Sequence, residues 1–295
     1  MELRQATRQK AKIKLGLSSV SGGGKTYSAI LIAKGLCGGD LSKVAIIDTE
    51  NGSADLYSNL GNYNVLPLRP PYSPEHYIKA IRECEEAGML VTIVDSITHE
   101  WEGAGGCLDI IEELTQKDPK KNSYTQWRFV TPRHQSFVNA MLQSPMHIIT
   151  TVRRKQDYDM SKQDGRTVIT KAGLKEITRD GFEYEMTVNL ELDIKHNAFA
   201  SKDRTELFMD KPSFIPSEGT GKIILQWCES GVDVIPQSTT KEKIIVRLKA
   251  SKDLNELAGQ YGALAKEFKA DKDIIVLKNE LKTLLTNKSY EQTQC

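Results

Sequence analysis

Short apolar runs rich in β-branched residues alternate with longer stretches of helical spacing through the first half of the chain. Residues 13–17 (IKLGL), 43–48 (KVAIID), 89–94 (MLVTIV) and 147–152 (HIITTV) read as strands buried on both faces, and 64–68 as a weaker one. Between them, 27–36, 73–87, 107–115 and 126–142 carry helical spacing. Ser73 opens the second helix with Pro74 at its first position, and Thr131-Pro132 interrupts or begins the last. Pro67, Pro70 and Pro71 stiffen the loop before Pro74, and residues 103–106 read as a flexible glycine-rich link. Strands alternating with helices predict an α/β fold with a mostly parallel central sheet flanked by helices.

After Arg153 the pattern changes. Residues 155–180 are charged and aperiodic, 184–194 alternate like a strand with one wet face, and 197–201 with 205–209 read as a strand pair. A short helix is expected at 219–228 and a linker at 236–240. Three amphipathic runs follow, 241–250, 254–269 and 274–285. The chain therefore divides into a polar basic arm (1–12), a core (13–235), a small C-terminal helical appendage (241–286) and a frayed tail (287–295).

Composition narrows the classes. The 295 residues hold 40 basic and 39 acidic side chains, so any nucleic-acid contact must be local. Five scattered cysteines form no C-x-x-C pair, which suits a reducing cytoplasm, and the five histidines have no metal-ligand spacing. The basic start, MELRQATRQKAKIK, has no apolar centre and does not read as a signal peptide. No apolar run approaches the roughly 18 residues a membrane span needs.

One stretch carries specific chemistry. Ser19-Val20-Ser21-Gly22-Gly23-Gly24-Lys25-Thr26 lies between a strand and a helix. That is the setting of a P-loop, although the first glycine of the usual signature is Ser19 here. Gly22, Gly23 and Gly24 let successive N–H groups turn to one point, together with Ser21 and Tyr27 on either side. The following helix aims its positive end there. Lys25 is expected to reach the outer phosphates of ATP and Thr26 to ligate Mg²⁺. Asp95, at the end of MLVTIVD, is the expected second Mg²⁺ residue. Glu50, after KVAIIDT, is the expected group that orients the attacking water, with Glu100 as its rival.

Taken together, the Lys25-Thr26 loop, Glu50, Asp95-Ser96 and the strand HIITTV resemble the RecA-type ATPase core. More narrowly, VDSITHEWEG, WRFVTPRHQSF, HIITTVRRKQDY and SKDRTELF resemble small phage-encoded RecA-like ATPases of single-strand annealing and recombination. The resemblance spans about residues 12–230 and implies a RecA-like P-loop NTPase core in the host cytoplasm. It implies Glu50 as catalytic carboxylate, Tyr57 as the ring against adenine and Thr151 at a γ-phosphate-sensing position. It also implies Lys202 and Arg204 as catalytic cations reaching a neighbouring subunit in a ring or filament. Arg153, Arg154 and Lys155 open a segment to Arg179 with eight Lys or Arg residues and one ring, Tyr158. This is where recombinases carry a DNA-binding loop. Single-stranded DNA and a single-strand-binding protein are the partners implied. Alternative readings are a hexameric helicase or translocase, a P-loop small-molecule kinase, and a non-enzymatic nucleotide-gated binding module.

Overall fold

The computed structural model describes residues 5–117, 123–163, 166–232, 240–264 and 266–292. Residues 1–233 and 234–295 form two compact units. In chain order the first holds β1 (Lys14–Ser19), α1 (Lys25–Leu36), β2 (Val44–Asp48), β3 (Asn64–Pro67), α2 (Pro74–Glu86), β4 (Val91–Asp95), α3 (Thr98–Glu102), α4 (Cys107–Lys117) and α5 (Ser123–Gln143). It continues with β5 (His147–Gln163), β6 (Arg166–Glu176), α6 (Phe182–Glu185), β7 (Val188–Leu192), β8 (Ala198–Asp203) and α7 (Glu218–Glu229).

The strands order as β3-β2-β4-β5-β1-β7-β8. All neighbours are parallel except the β7–β8 pair at the edge. This is the expected α/β class, a mostly parallel sheet flanked by helices. Side-chain alternation divides the core between the two faces. Leu15, Leu17, Ile46, Ile93 and Ile149 face α1 and α7, whereas Ile47, Val94, Ile148 and Val152 face α2 and α5. α1 and α7 meet backbone to backbone, because a Cβ on Gly35 would lie 2.2 Å from Glu218 O.

Three local readings are corrected. Residues 155–180 are not an aperiodic loop: β5 runs past the sheet and pairs antiparallel with β6 from Arg154↔Glu176 to Gln163↔Arg166. The sequence of this stretch carries no apolar period, so patterning does not mark its strands. The side chain of Tyr158 lies outside the described residues. The expected strand at 205–209 is a turn, because the Asp203 carboxylate accepts the N–H groups of Thr205 (2.6 Å), Phe208 (2.7 Å) and Met209 (3.1 Å). Pro132 lies inside α5 and does not end it. Val130, Phe137, Val138 and Met141 are buried on either side and hold both halves in place. Within the expected polar arm, residues 8–11 are held by backbone hydrogen bonds. Lys10 N–H donates to Val232 O (2.9 Å), Val232 N–H to Arg8 O (3.0 Å) and Ala11 N–H to Cys228 O (3.1 Å).

The second unit comprises α8 (Thr240–Lys249), α9 (Leu254–Gly262), α10 (Lys266–Lys269) and α11 (Lys272–Gln292) around Ile244, Leu248, Leu257 and Ile274. The helix expected to stop near 285 continues to Gln292, there being no glycine or proline to end it. Residues 236–239 of the expected linker lie outside the described residues.

Candidate nucleotide site

The C-terminal ends of β1, β2 and β4, with Arg153 midway along β5, open onto one cavity of about 680 Å³. Ser21, Gly22, Gly24, Lys25, Thr26 and Tyr27 form its floor. Gly22 and Gly24 both have φ of +80°, the left-handed region glycine adopts without strain. Gly23 is buried beneath the loop, where a Cβ would fall 1.9 Å from Ser19 Oγ. α1 begins with no side-chain cap and no acid in its first turn, which leaves its N–H groups for an anion. Lys25 Nζ donates to Ser19 O (3.2 Å) and Val20 O (3.0 Å) at the loop rim. Burial pushes its ammonium below the usual lysine value, opposed by Asp95 and Glu50.

Asp95 is almost wholly buried and takes two hydroxyl hydrogen bonds. Thr26 Oγ1 donates to Oδ2 at 2.6 Å and Thr151 Oγ1 to Oδ1. Burial raises its carboxyl above the usual aspartate value, and the two hydroxyls oppose the rise. Thr151 is fully buried and is not on the cavity wall. Its hydroxyl is committed to Asp95, so it positions that carboxylate; the expected contact with nucleotide is not what its placement gives.

Glu50 lines the cavity beside Lys25 and Asp95. Asp48 sets its direction by accepting the N–H groups of Glu50 and Gly52, both at 2.7 Å. Its rival Glu100 is fully buried elsewhere, accepting from His134 Nδ1 (3.0 Å) and Cys107 Sγ (3.1 Å). Burial and Glu100 push the Cys107 thiol up, so it stays a donor. These three side chains bring possible ligand atoms within 4.8 Å of one another, a grouping that their sequence spacing hides.

Tyr57 lines the cavity and meets Tyr27 edge-on, with ring centroids 5.9 Å apart. Leu31, Ile215 and Pro216 complete an apolar end suited to a base. His196 also lines the cavity, and sequence reasoning missed it. Asp193 accepts from Lys195 N (2.8 Å) and Asn197 N (2.9 Å), closing a turn with His196 at φ +67°. A Cβ on Gly24 would come 2.7 Å from His196 Nδ1. The available signal was a turn after a strand lying parallel to β1, whose end must reach the loop.

The remaining expectations separate. Arg153 is in the cavity wall, ion-paired to Glu50 at 2.8 Å. Arg154 pairs with Glu191 and donates to Leu174 O. Neither is a free cation at the root of a DNA loop, as the resemblance implied; of the three, Lys155 is the exposed one. Lys202 and Arg204 both donate to Tyr184 O. They sit by the start of β7, the end remote from Leu192, whose carbonyl Ser19 Oγ holds. Neither lines this chain's own cavity.

A family model described as an AAA domain matches residues 11–221. The chain belongs to the AAA domain family. This AAA domain is a P-loop ATPase domain, a unit that binds and hydrolyses nucleotide. Curated proteins give no match. Among solved structures it is similar to the KaiC-like protein PH0186 of the hyperthermophilic archaeon Pyrococcus horikoshii OT3. Identity is 16% over 68% of this chain and 83% of that one, at a TM-score of 0.39, too distant to bear on the chemistry. Among the described residues of the AAA domain chain, no helix is long and apolar enough to cross a membrane.

Proposed function

We propose that the chain is a Mg²⁺-dependent, RecA-like ATPase that acts on single-stranded DNA in phage recombination or annealing and works as an oligomer. The observation that carries the ATPase reading is the convergence of Lys25, Thr26, Asp95 and Glu50 on one cavity. Thr26 and Asp95 offer hard oxygen donors 2.6 Å apart, a set suited to Mg²⁺, which would neutralise charge on the phosphates. Lys25 and the uncapped N–H groups of α1 hold the phosphates. Tyr27, Tyr57 and Ile215 cover the base. Water attacks the γ-phosphorus as its bond to the bridging oxygen breaks, giving ADP and phosphate. Glu50 orients that water and takes its proton.

The DNA reading is supported by a surface beside the hairpin. Tyr124 is 82% exposed and Phe129 47%, and the Trp101 and Trp127 rings stack at 5.4 Å. Arg179 lies 5.9 Å over Trp127 and Arg128 4.5 Å over Phe129, with Lys155 nearby. Rings interleaved with cations suit the bases and phosphates of a single strand.

The test is ATP turnover with and without a single-stranded oligonucleotide. Turnover should need Mg²⁺, rise with DNA and vanish in Lys25→Ala. Glu50→Gln should bind ATP but turn over about 10²–10⁴-fold more slowly. Turnover indifferent to DNA would remove the DNA half of the reading, and full activity in Lys25→Ala would remove the rest.

A further inference from the structure

Glu100, Cys107 and His134 are all buried, and none of them lines the nucleotide cavity. They come from three elements: the middle of α3, the first residue of α4 and the interior of α5. The link between α3 and α4 folds back so that Cys107 reaches Glu100. Gly105 has φ of +73° and its N–H donates to Asp109 Oδ2 (2.9 Å), while Gly106 N–H donates to Gly103 O (2.7 Å). Both oxygens of the Glu100 carboxylate have partners. Cys107 Sγ stands 3.1 Å from Oε1, and His134 Nδ1 stands 3.1 Å from Oε1 and 3.0 Å from Oε2. The surroundings are apolar: Ile111, Val130, Trp101 and Trp127 cluster with Cys107, and the Trp101 ring meets His134 edge-on at 5.7 Å. Arg133, beside His134 in the chain, is spent on Glu75 through two contacts of 2.7 Å.

A thiolate, an imidazole nitrogen and a carboxylate are the donor types that zinc takes. Here the donor atoms lie within 4.8 Å of one another. Around an ion about 2.0–2.3 Å from each donor, neighbouring donors stand roughly 3.3–3.6 Å apart. The contacts at 3.0 Å and 3.1 Å therefore need to open by only about 0.3–0.5 Å to admit it. We propose that Glu100, Cys107 and His134 form a structural zinc site that pins α3, α4 and α5 together. Glu100 offers its two oxygens, Cys107 its Sγ and His134 its Nδ1, which fills a four-coordinate shell. Zn²⁺ with one carboxylate, one thiolate and one neutral imidazole sums to zero charge, which apolar surroundings tolerate. On loading, the thiol proton leaves to solvent and the proton on Nδ1 of the neutral imidazole moves to Nε2, so about one proton is released per ion. Mg²⁺ prefers oxygen donors and keeps its waters, so the ion here differs from the one suited to Thr26 and Asp95. The site lies beneath the Trp101–Trp127 stack and holds in place the two helices that supply those rings. It stands independently of the nucleotide and DNA readings.

The test is metal analysis of the full chain, purified with a chelator wash that strips surface-bound ions. The wild type should hold about one zinc per chain. Cys107→Ser keeps a hydroxyl that can donate to Glu100 but offers zinc a poor ligand, so it should fold and hold none. His134→Gln, which keeps an amide donor, is the second variant if serine is poorly tolerated. Chain expressed with Co²⁺ in place of zinc should show the near-ultraviolet charge-transfer band of a thiolate–cobalt bond, and Cys107→Ser should lack it. Chelation during heating should lower the melting temperature of the wild type and leave Cys107→Ser where it was. Wild type that holds no zinc as purified, and that gains neither zinc nor melting temperature when refolded with Zn²⁺, would overturn the proposal: the cluster would then be held by protons alone. Equal zinc in the wild type and in both variants would overturn it as well, by placing the ion on other residues.

Discussion

A carboxylate as buried as Asp95 resists ionisation, so its proton is held more tightly in the folded chain than in the unfolded one. Below the ordinary aspartate value both states are protonated and nothing is lost. As pH rises, the unfolded state ionises first and stability drains, with the full cost present above the raised folded value. Asp95→Asn should therefore melt higher than wild type at neutral pH, and the advantage should fade in acid. Its amide can still accept from one of Thr26 and Thr151 and donate to the other. The same variant should lose Mg²⁺-dependent nucleotide binding. A lower melting temperature at neutral pH would show that the charge is not a burden. At this scale the sequence was informative where chemistry is local. Gly22 to Thr26 are contiguous, Asp95 closes a visible strand, and Glu50 lies two residues beyond the end of another. Arg153 and His196 were opaque because their partners, Glu50 and Gly24, are brought to them only by the order of strands in the sheet.

The elements that sequence patterning found are those with one apolar period. β1, β2, β4 and α2 are buried as their residues imply. The hairpin escaped because its sequence carries no apolar period, and α5 was blurred by Pro132, whose helix-breaking tendency is overridden by burial on both sides. α5 and the hairpin's foot together carry the surface proposed for DNA, and its two components are separable. Tyr124→Ala removes an exposed ring without touching the core and should cost about 1–3 kcal/mol of single-strand affinity while leaving the salt dependence alone. Neutralising Arg128 and Lys155 to Gln should reduce the slope of log affinity against log salt by about one for each cation. Binding titrations at several salt concentrations check both. Equal affinities and slopes throughout would move the DNA site off this face.

At the scale of the whole molecule, Lys202 and Arg204 stand at the wrong end of β7 to serve their own cavity. If they act on phosphate, they act on a neighbour's. Arg204→Ala should then bind ATP and fail to hydrolyse it, since such an arginine is worth around 10³–10⁵ in rate. Mixing it with Lys25→Ala should restore some of the activity, each subunit supplying what the other lacks. No recovery at any mixing ratio would end the idea. The clamp between residues 8–11 and the end of α7 has a mechanical consequence. Gln9 and Val232 bridge in parallel, and Arg8 stacks on Trp227 at 4.3 Å beside them. Because the bridge is parallel, residue 8 and Val232 lie at its opposite ends along the chain's path. Tension along it loads the rungs in shear, so Lys10–Val232 and Val232–Arg8 bear force together and must break together. A tug applied at Val232 meets a lock, where a zipper in the same place would have opened.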